Sequence, residues 1–130
     1  MSLNVRIITP GKIVWAGMAE ELVLPSSTGQ IGILTDHAPL LTALEIGVMK
    51  LKSETGETSI VLMEGFAEVE ENKVTILCSG AEEGSSIDAK TAQEELEKVT
   101  LLVDEATTKK EKIEATIELR KAKARLQAVA

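Results

Sequence analysis

The spacing of apolar residues changes once along this 130-residue chain, near residue 87, and that change restricts the fold to two joined modules. Before it, apolar residues come in short pieces bounded by turn residues. Leu3, Val5 and Ile7 alternate with Asn4 and Arg6, and Met49 and Leu51 alternate with Lys50 and Lys52, the period-2 pattern of half-buried strands. Glu54-Thr55-Gly56-Glu57 and Glu70-Glu71-Asn72-Lys73 read as hairpin turns. The Gly/Ser-rich, acidic stretch from Gly80 to Ser86 reads as a strand end running into a linker. Residues 1–87 are therefore predicted to form an antiparallel β-sandwich, a flattened barrel of short strands.

From Asp88 the spacing becomes helical, and neither glycine nor proline occurs again. Asp88 is a natural N-cap, after which Ala92, Leu96, Val99, Val103 and Ala106 repeat at 4-3-4-3 spacing and make one apolar seam. Thr108-Lys109-Lys110-Glu111 reads as a capping box that starts a second helix, whose seam is Ala115, Leu119, Ala122, Leu126 and Val129. Residues 88–130 are thus predicted to be an antiparallel α-helical hairpin, each arm about 30 Å long, and the fold class is α+β. The second arm carries a further stripe, Ile113, Ile117 and Ala124, about 160–180° from its seam at 100° per residue. Two arrangements satisfy it: a closed protein in which this stripe meets the sandwich, or an opened, more extended helical arm.

A hydrophobic content of 44% is enough for a core, but aromatics are only 2%, so the core is expected to be aliphatic around Trp15 and Phe66. The net charge of −7 argues against nucleic acid and against direct binding to anionic lipid. That charge is unevenly spread: residues 1–87 carry −7, residues 88–108 carry −4, and residues 109–130 carry +4. The basic last arm is either a solvated helix with cations near its C-terminus or a surface for an acidic protein partner. No apolar stretch approaches the roughly 20 residues that span a bilayer, and neither a secretory nor a transit segment is expected at the N-terminus. Cys78, the single cysteine, lies in the apolar run Val74 to Cys78 and reads as a buried structural thiol.

A catalytic constellation cannot be assembled. With one histidine and one cysteine there is no zinc set and no nucleophile-base pair with an orienting group, and no phosphate-binding Gly-x-x-x-x-Gly-Lys-Ser/Thr loop occurs. Asp36-His37 reads as a turn pair making local hydrogen bonds. No cofactor and no metal site is expected.

The run Gly29-Gln30-Ile31-Gly32-Ile33, followed by His37-Ala38-Pro39-Leu40-Leu41-Thr42-Ala43, reads as strand, shaped turn, strand. Gly29 and Gly32 are read as supplying backbone angles that side chains forbid, and Pro39 as fixing the turn. With Val5 to Ile8 and the last-helix segment Leu119 to Arg125, this run resembles the epsilon subunit of the F-type, proton-translocating ATP synthase, over the whole chain and most of all the cyanobacterial and chloroplast form. The resemblance implies a non-catalytic subunit of the rotating central stalk. Its sandwich would dock on the gamma subunit and on the ring of membrane proteolipid subunits, with Gln30, His37, Ala38, Pro39 and Leu41 as contact residues. Its helical hairpin would restrain ATP hydrolysis, with Arg120, Lys121, Lys123 and Arg125 meeting an acidic segment of the catalytic beta subunit in the alpha/beta head. The protein would be peripheral to the membrane, on the cytoplasmic side in a bacterium or cyanobacterium, or in the chloroplast stroma at the thylakoid.

Some members of that family hold ATP between the two helices through an Ile/Leu-Asp-x-x-Arg-Ala motif. Here the stretch is Ile87-Asp88-Ala89-Lys90-Thr91-Ala92, and Thr91 stands where the motif has its guanidinium, so no ATP binding is expected. On the residues alone, a generic protein-protein adaptor with the same two modules remains the alternative.

Overall fold

A computed structural model describes residues 2–129. Ten strands are followed by two helices: β1 Leu3–Thr9, β2 Lys12–Ala19, β3 Glu21–Ser26, β4 Gly29–Leu34, β5 Leu40–Leu44, β6 Gly47–Ser53, β7 Gly56–Leu62, β8 Gly65–Glu70, β9 Lys73–Cys78, β10 Ala81–Glu83, α1 Ala89–Glu105 and α2 Lys109–Val129. The strands run β10-β7-β6-β3-β5-β8-β9-β1-β2 in one continuous ladder, with β4 paired to β3. The ladder folds into two layers because β3 meets β5 through a single pair, Ser26 with Leu44. At the opposite seam the Glu20 amide donates to the Lys52 carbonyl at 2.7 Å. The expected antiparallel sandwich is present with one departure: β1 and β9 pair in parallel.

Both predicted hairpins occur. Ser53 pairs with Gly56 across the first. Glu70 pairs with Lys73 across the second, whose central residues Glu71 and Asn72 both have positive φ, the backbone a two-residue β-hairpin requires.

Alternation decides which side chains enter the core. Leu3, Val5 and Ile7 from β1, Ala67 and Val69 from β8, and Val74 and Ile76 from β9 meet Leu22, Leu24, Ile33, Met49, Leu51, Ile60 and Leu62 from the facing layer. Cys78 is buried at its margin, and burial pushes its thiol pKa up. The core is more purely aliphatic than expected. Trp15 is half-buried and packs against the core, its ring lying over Gly17, as expected, but Phe66 points outward with 57% of its surface exposed. Phe66 is outside because Ala67 and Val69 are inside, and adjacent strand residues face opposite ways.

The run Ile60-Val61-Leu62-Met63 has no alternation because β7 is covered on both faces. Ile60 and Leu62 face the sandwich interior, whereas Val61, with Val48 and Met63, packs under Ala124 of α2, flanked by Ile46, Ile87 and Ala128. The two predicted helical seams are buried or half-buried, with Ala92 and Val99 on α1 and Ala122 on α2 most enclosed. The further stripe is divided. Ala124 is buried against the sandwich, but Ile113 and Ile117 overhang it and remain exposed.

The helix starts follow their caps. The Asp88 carboxylate accepts from both the amide and the hydroxyl of Thr91, at 3.0 and 2.7 Å, and these bonds hold its pKa below the usual carboxylate value. At α2 the Thr108 hydroxyl accepts from the Glu111 amide at 3.1 Å, while the Glu111 carboxylate accepts from the Thr107 amide at 3.2 Å. The reciprocal bond of the capping box therefore reaches one residue further back than Thr108.

Candidate interaction surfaces

The His37 turn lies at one end of the sandwich and is held from two sides. Pro39 limits its exit, and Asp36 enters it with a left-handed φ of 66°. The His37 amide donates to the Leu34 carbonyl at 3.2 Å, and its ring Nδ1 donates to the Ala38 carbonyl at 2.6 Å. Because a carbonyl can only accept, Nδ1 carries the hydrogen of this bond. Gly32, read from sequence as a special backbone position, is not one: its φ is ordinary and an added Cβ would meet nothing within 4 Å. Gly29 does have a positive φ, 121°. It closes the β3–β4 turn, where Ser26 Oγ bonds to the Gly29 carbonyl and accepts from the Thr28 amide at 3.3 Å.

Gln30 is exposed beside that turn, paired with Pro25. It does not share an end with His37. Strand β4 runs between them, a separation of about 15 Å at 3.3 Å per residue. The register links Ser26 to Leu44, Leu44 to Gly65 and Gly65 to Cys78, placing Gln30 at the end where β5 finishes and β8 begins. The predicted contact group thus splits: Gln30 at one end, His37, Ala38 and Pro39 at the other, and Leu41 between them on an outer face, 72% exposed.

That outer face carries a feature the sequence reading missed. Ala43 pairs with Phe66, Phe66 with Leu77, Leu77 with Ile8 and Ile8 with Ile13, an apolar row across five strands, β5-β8-β9-β1-β2, and about 19 Å wide. Leu77 and Ile13 are each about half exposed, and a shallow depression of about 560 Å³ opens between Phe66, Leu77 and the Pro10-Gly11 turn. The available signal was period 2: Ile76 and Cys78 face in, so Leu77 must face out. Contiguous exposed apolar surface of this kind makes this face a candidate interaction surface.

On the hairpin, the four predicted cations are not equivalent. Arg125 donates from Nε and Nη2 to the two carboxylate oxygens of Glu82 at 3.0 and 2.9 Å, and from Nη1 to Glu95 at 3.4 Å. It joins α2 to β10 and to α1 at once, and the Glu82 hydrogen bonds raise its pKa further. Lys121 lies 3.5 Å from Glu118 one turn earlier, while Arg120 and Lys123 are exposed. Removing Arg125 as Arg125→Ala is expected to weaken hairpin docking by about 2 kcal/mol, close to thirty-fold in the open-to-closed ratio. Hydrogen exchange of the α2 amides checks this, with the β1 and β9 amides as unchanged references.

Of the ATP-motif stretch, Asp88 and Thr91 are engaged with each other as the α1 cap. No group of three or more His, Cys, Asp or Glu suited to a metal occurs among the described residues, and none of the described helices is long and apolar enough to cross a membrane.

A ten-stranded sandwich with an exposed apolar face, followed by a C-terminal helical hairpin, defines the class of fold. Residues 2–84 match the sequence model of the ATP synthase Delta/Epsilon chain, beta-sandwich domain, and the chain belongs to that family. It is 81% identical over 130 residues to the chloroplastic ATP synthase epsilon chain of Emiliania huxleyi, covering all of both chains. It is 59% identical to that of Guillardia theta over 129 residues, 99% of this chain and 98% of the relative. Among solved structures, a chain of the Euglena gracilis mitochondrial ATP synthase, in an assembly described as OSCP/F1/c-ring, superposes with a TM-score of 0.86 at 18% identity, over 99% of this chain and 82% of that one. At that identity the likeness shows the fold alone.

Proposed function

We propose that this chain is the non-catalytic epsilon subunit of a chloroplast-type ATP synthase, a rotor component peripheral to the thylakoid membrane. The observation that carries the docking assignment is the apolar row Ala43, Phe66, Leu77, Ile8 and Ile13, which leaves one face of the sandwich uncovered while the hairpin covers the other. The gamma subunit occupies that face, with Leu41 and the His37 turn extending it. The β3–β4 turn with Gln30 meets the proteolipid ring, its amide able both to donate and to accept. Coupling then needs no chemistry in this chain, only a stiff body gripped at two places.

The hairpin restrains ATP hydrolysis, and Arg125 links its two arrangements. In the closed form its guanidinium is taken by Glu82 and Glu95, so it can meet an acidic segment of the catalytic head only after the hairpin has left the sandwich. The two states share a residue and exclude each other, as a bistable element requires. Ile113 and Ile117, uncovered in the closed form, join the contact in the open one. ATP is not held between the helices, since Thr91 occupies the guanidinium position and Asp88 serves as a cap.

Truncation after Ser86 is expected to leave assembly intact and to raise hydrolysis by the detached catalytic complex. Unchanged hydrolysis would reject a restraining role for the hairpin.

A further inference from the structure

We propose that Asn72 is the positioning residue of the His37 turn, a role that rests on the docking assignment above. Asn72 belongs to the β8–β9 hairpin, 36 residues from Asp36, yet its side chain grips the turn twice. Its Oδ1 accepts from the Asp36 amide at 2.6 Å and its Nδ2 donates to the Asp36 carboxylate at 3.2 Å. Its own carbonyl accepts from the Asn4 amide at 2.8 Å, so one residue ties the β4–β5 turn to β8, β9 and β1. Both partners hold left-handed backbone, φ 61° at Asn72 and 66° at Asp36. These are the residue types that tolerate that region while offering a short amide or carboxylate.

The turn has little else to hold it. Asp36, Ala38 and Pro39 are exposed, and the other hydrogen bonds recorded in it, from the His37 amide to Leu34 and from the His37 ring to Ala38, are local. Such bonds shape a turn but do not fix where it stands relative to the outer face. The Asn72 clamp crosses to a different hairpin and does fix it. It keeps His37 in register with the β8 and β9 side chains of the apolar row, whereas Leu41 is already held by the β5–β8 ladder. Without the clamp, a partner would have to order the turn on binding, and freezing even one or two residues reduces affinity about ten-fold or more.

The test measures binding of the full chain to a catalytic complex that contains gamma but lacks this subunit. Asn72→Gly preserves the left-handed turn and deletes both side-chain bonds. Asp36→Asn removes a charge and retains an acceptor for Nδ2. Expected for Asn72→Gly are an unchanged Tm, faster hydrogen exchange at the Asp36 and His37 amides, and about ten-fold weaker binding. Asp36→Asn is expected to bind within two-fold of the unaltered chain. Unweakened binding by Asn72→Gly overturns the positioning role. An equal loss in Asp36→Asn overturns it too, because the Asp36 charge would then be the contact. If the unaltered chain does not bind, the docking assignment itself fails.

Discussion

Phe66→Glu is expected to leave the sandwich folded and to abolish its docking on the stalk. Phe66 is more than half exposed and its removal opens no cavity in the core, so stability should change by no more than about 0.5 kcal/mol. In the complex the same side chain stands within the apolar row, between Ala43 on β5 and Leu77 on β9. Aromatic residues central to an interface contribute about 2–4 kcal/mol, and a carboxylate there adds the cost of burying an unpaired charge. A loss of at least about thirty-fold in affinity follows at the lower figure, with the circular dichroism spectrum and Tm preserved. Equilibrium binding to a gamma-containing complex, beside a thermal melt, measures both quantities.

The residue before it should behave in the opposite way. Gly65→Ala is expected to destabilise the fold strongly, because an added Cβ would clash with the Leu77 carbonyl oxygen and lie 2.7 Å from the Cys78 Cα. Those are backbone atoms of the paired strand and cannot rotate aside. Gly65 stands where β5, β8 and β9 come together, paired with both Leu44 and Cys78, so relief requires opening the ladder that holds one layer of the sandwich. Overpacking against side chains costs about 1–3 kcal/mol, and against fixed backbone the loss should reach about 3 kcal/mol or more. That is a large part of the 5–15 kcal/mol that stabilises a typical domain, and it lowers Tm by about 10 °C. Gly32→Ala is the control: with open space around it, its Tm should stay within a few degrees of the unaltered chain. A thermal melt of both variants separates close backbone approach from a general intolerance of substitution at strand glycines.

The contrast between Gly65 and Phe66 also indicates what could be read from residues alone. The strands, the helical seams and their caps were legible because each is a local signal: a period of two, a period of 3.6, or a Thr or Asp before a helix start. Phe66 was expected in the core because so few aromatic residues were available to fill one. Its neighbours Ala67 and Val69 already fixed its direction, and alternation is stronger evidence than size. The demand for glycine at 65 was not legible, since it arises from strand β9, 13 residues away, and not from a local turn. Gly32 failed in the reverse sense. It looked like a turn requirement, whereas the left-handed residue of that turn is Asp36, supported by Asn72.

Long-range pairing hid the rest. The parallel contact of β1 with β9 brings Ile8 beside Leu77 and so completes the apolar row, and no local pattern announces it. Arg125 could not be separated from Arg120, Lys121 and Lys123 by charge or spacing. What distinguishes it is Glu82, 43 residues earlier on β10, and that acid comes within reach only once α2 lies across β6 and β7. The charge asymmetry of the hairpin was visible in the sequence; which cation serves as its fastening was not.

The central claim is that the uncovered apolar face seats this chain in the rotor of an ATP synthase. Affinity purification of the tagged full-length chain from thylakoid membranes, with subunit amounts determined by quantitative mass spectrometry, tests it most directly. The account predicts recovery with the alpha, beta and gamma subunits, in an amount equal to gamma, and loss of that recovery for Phe66→Glu. Recovery free of gamma, or with gamma in undiminished amount through Phe66→Glu, would contradict it.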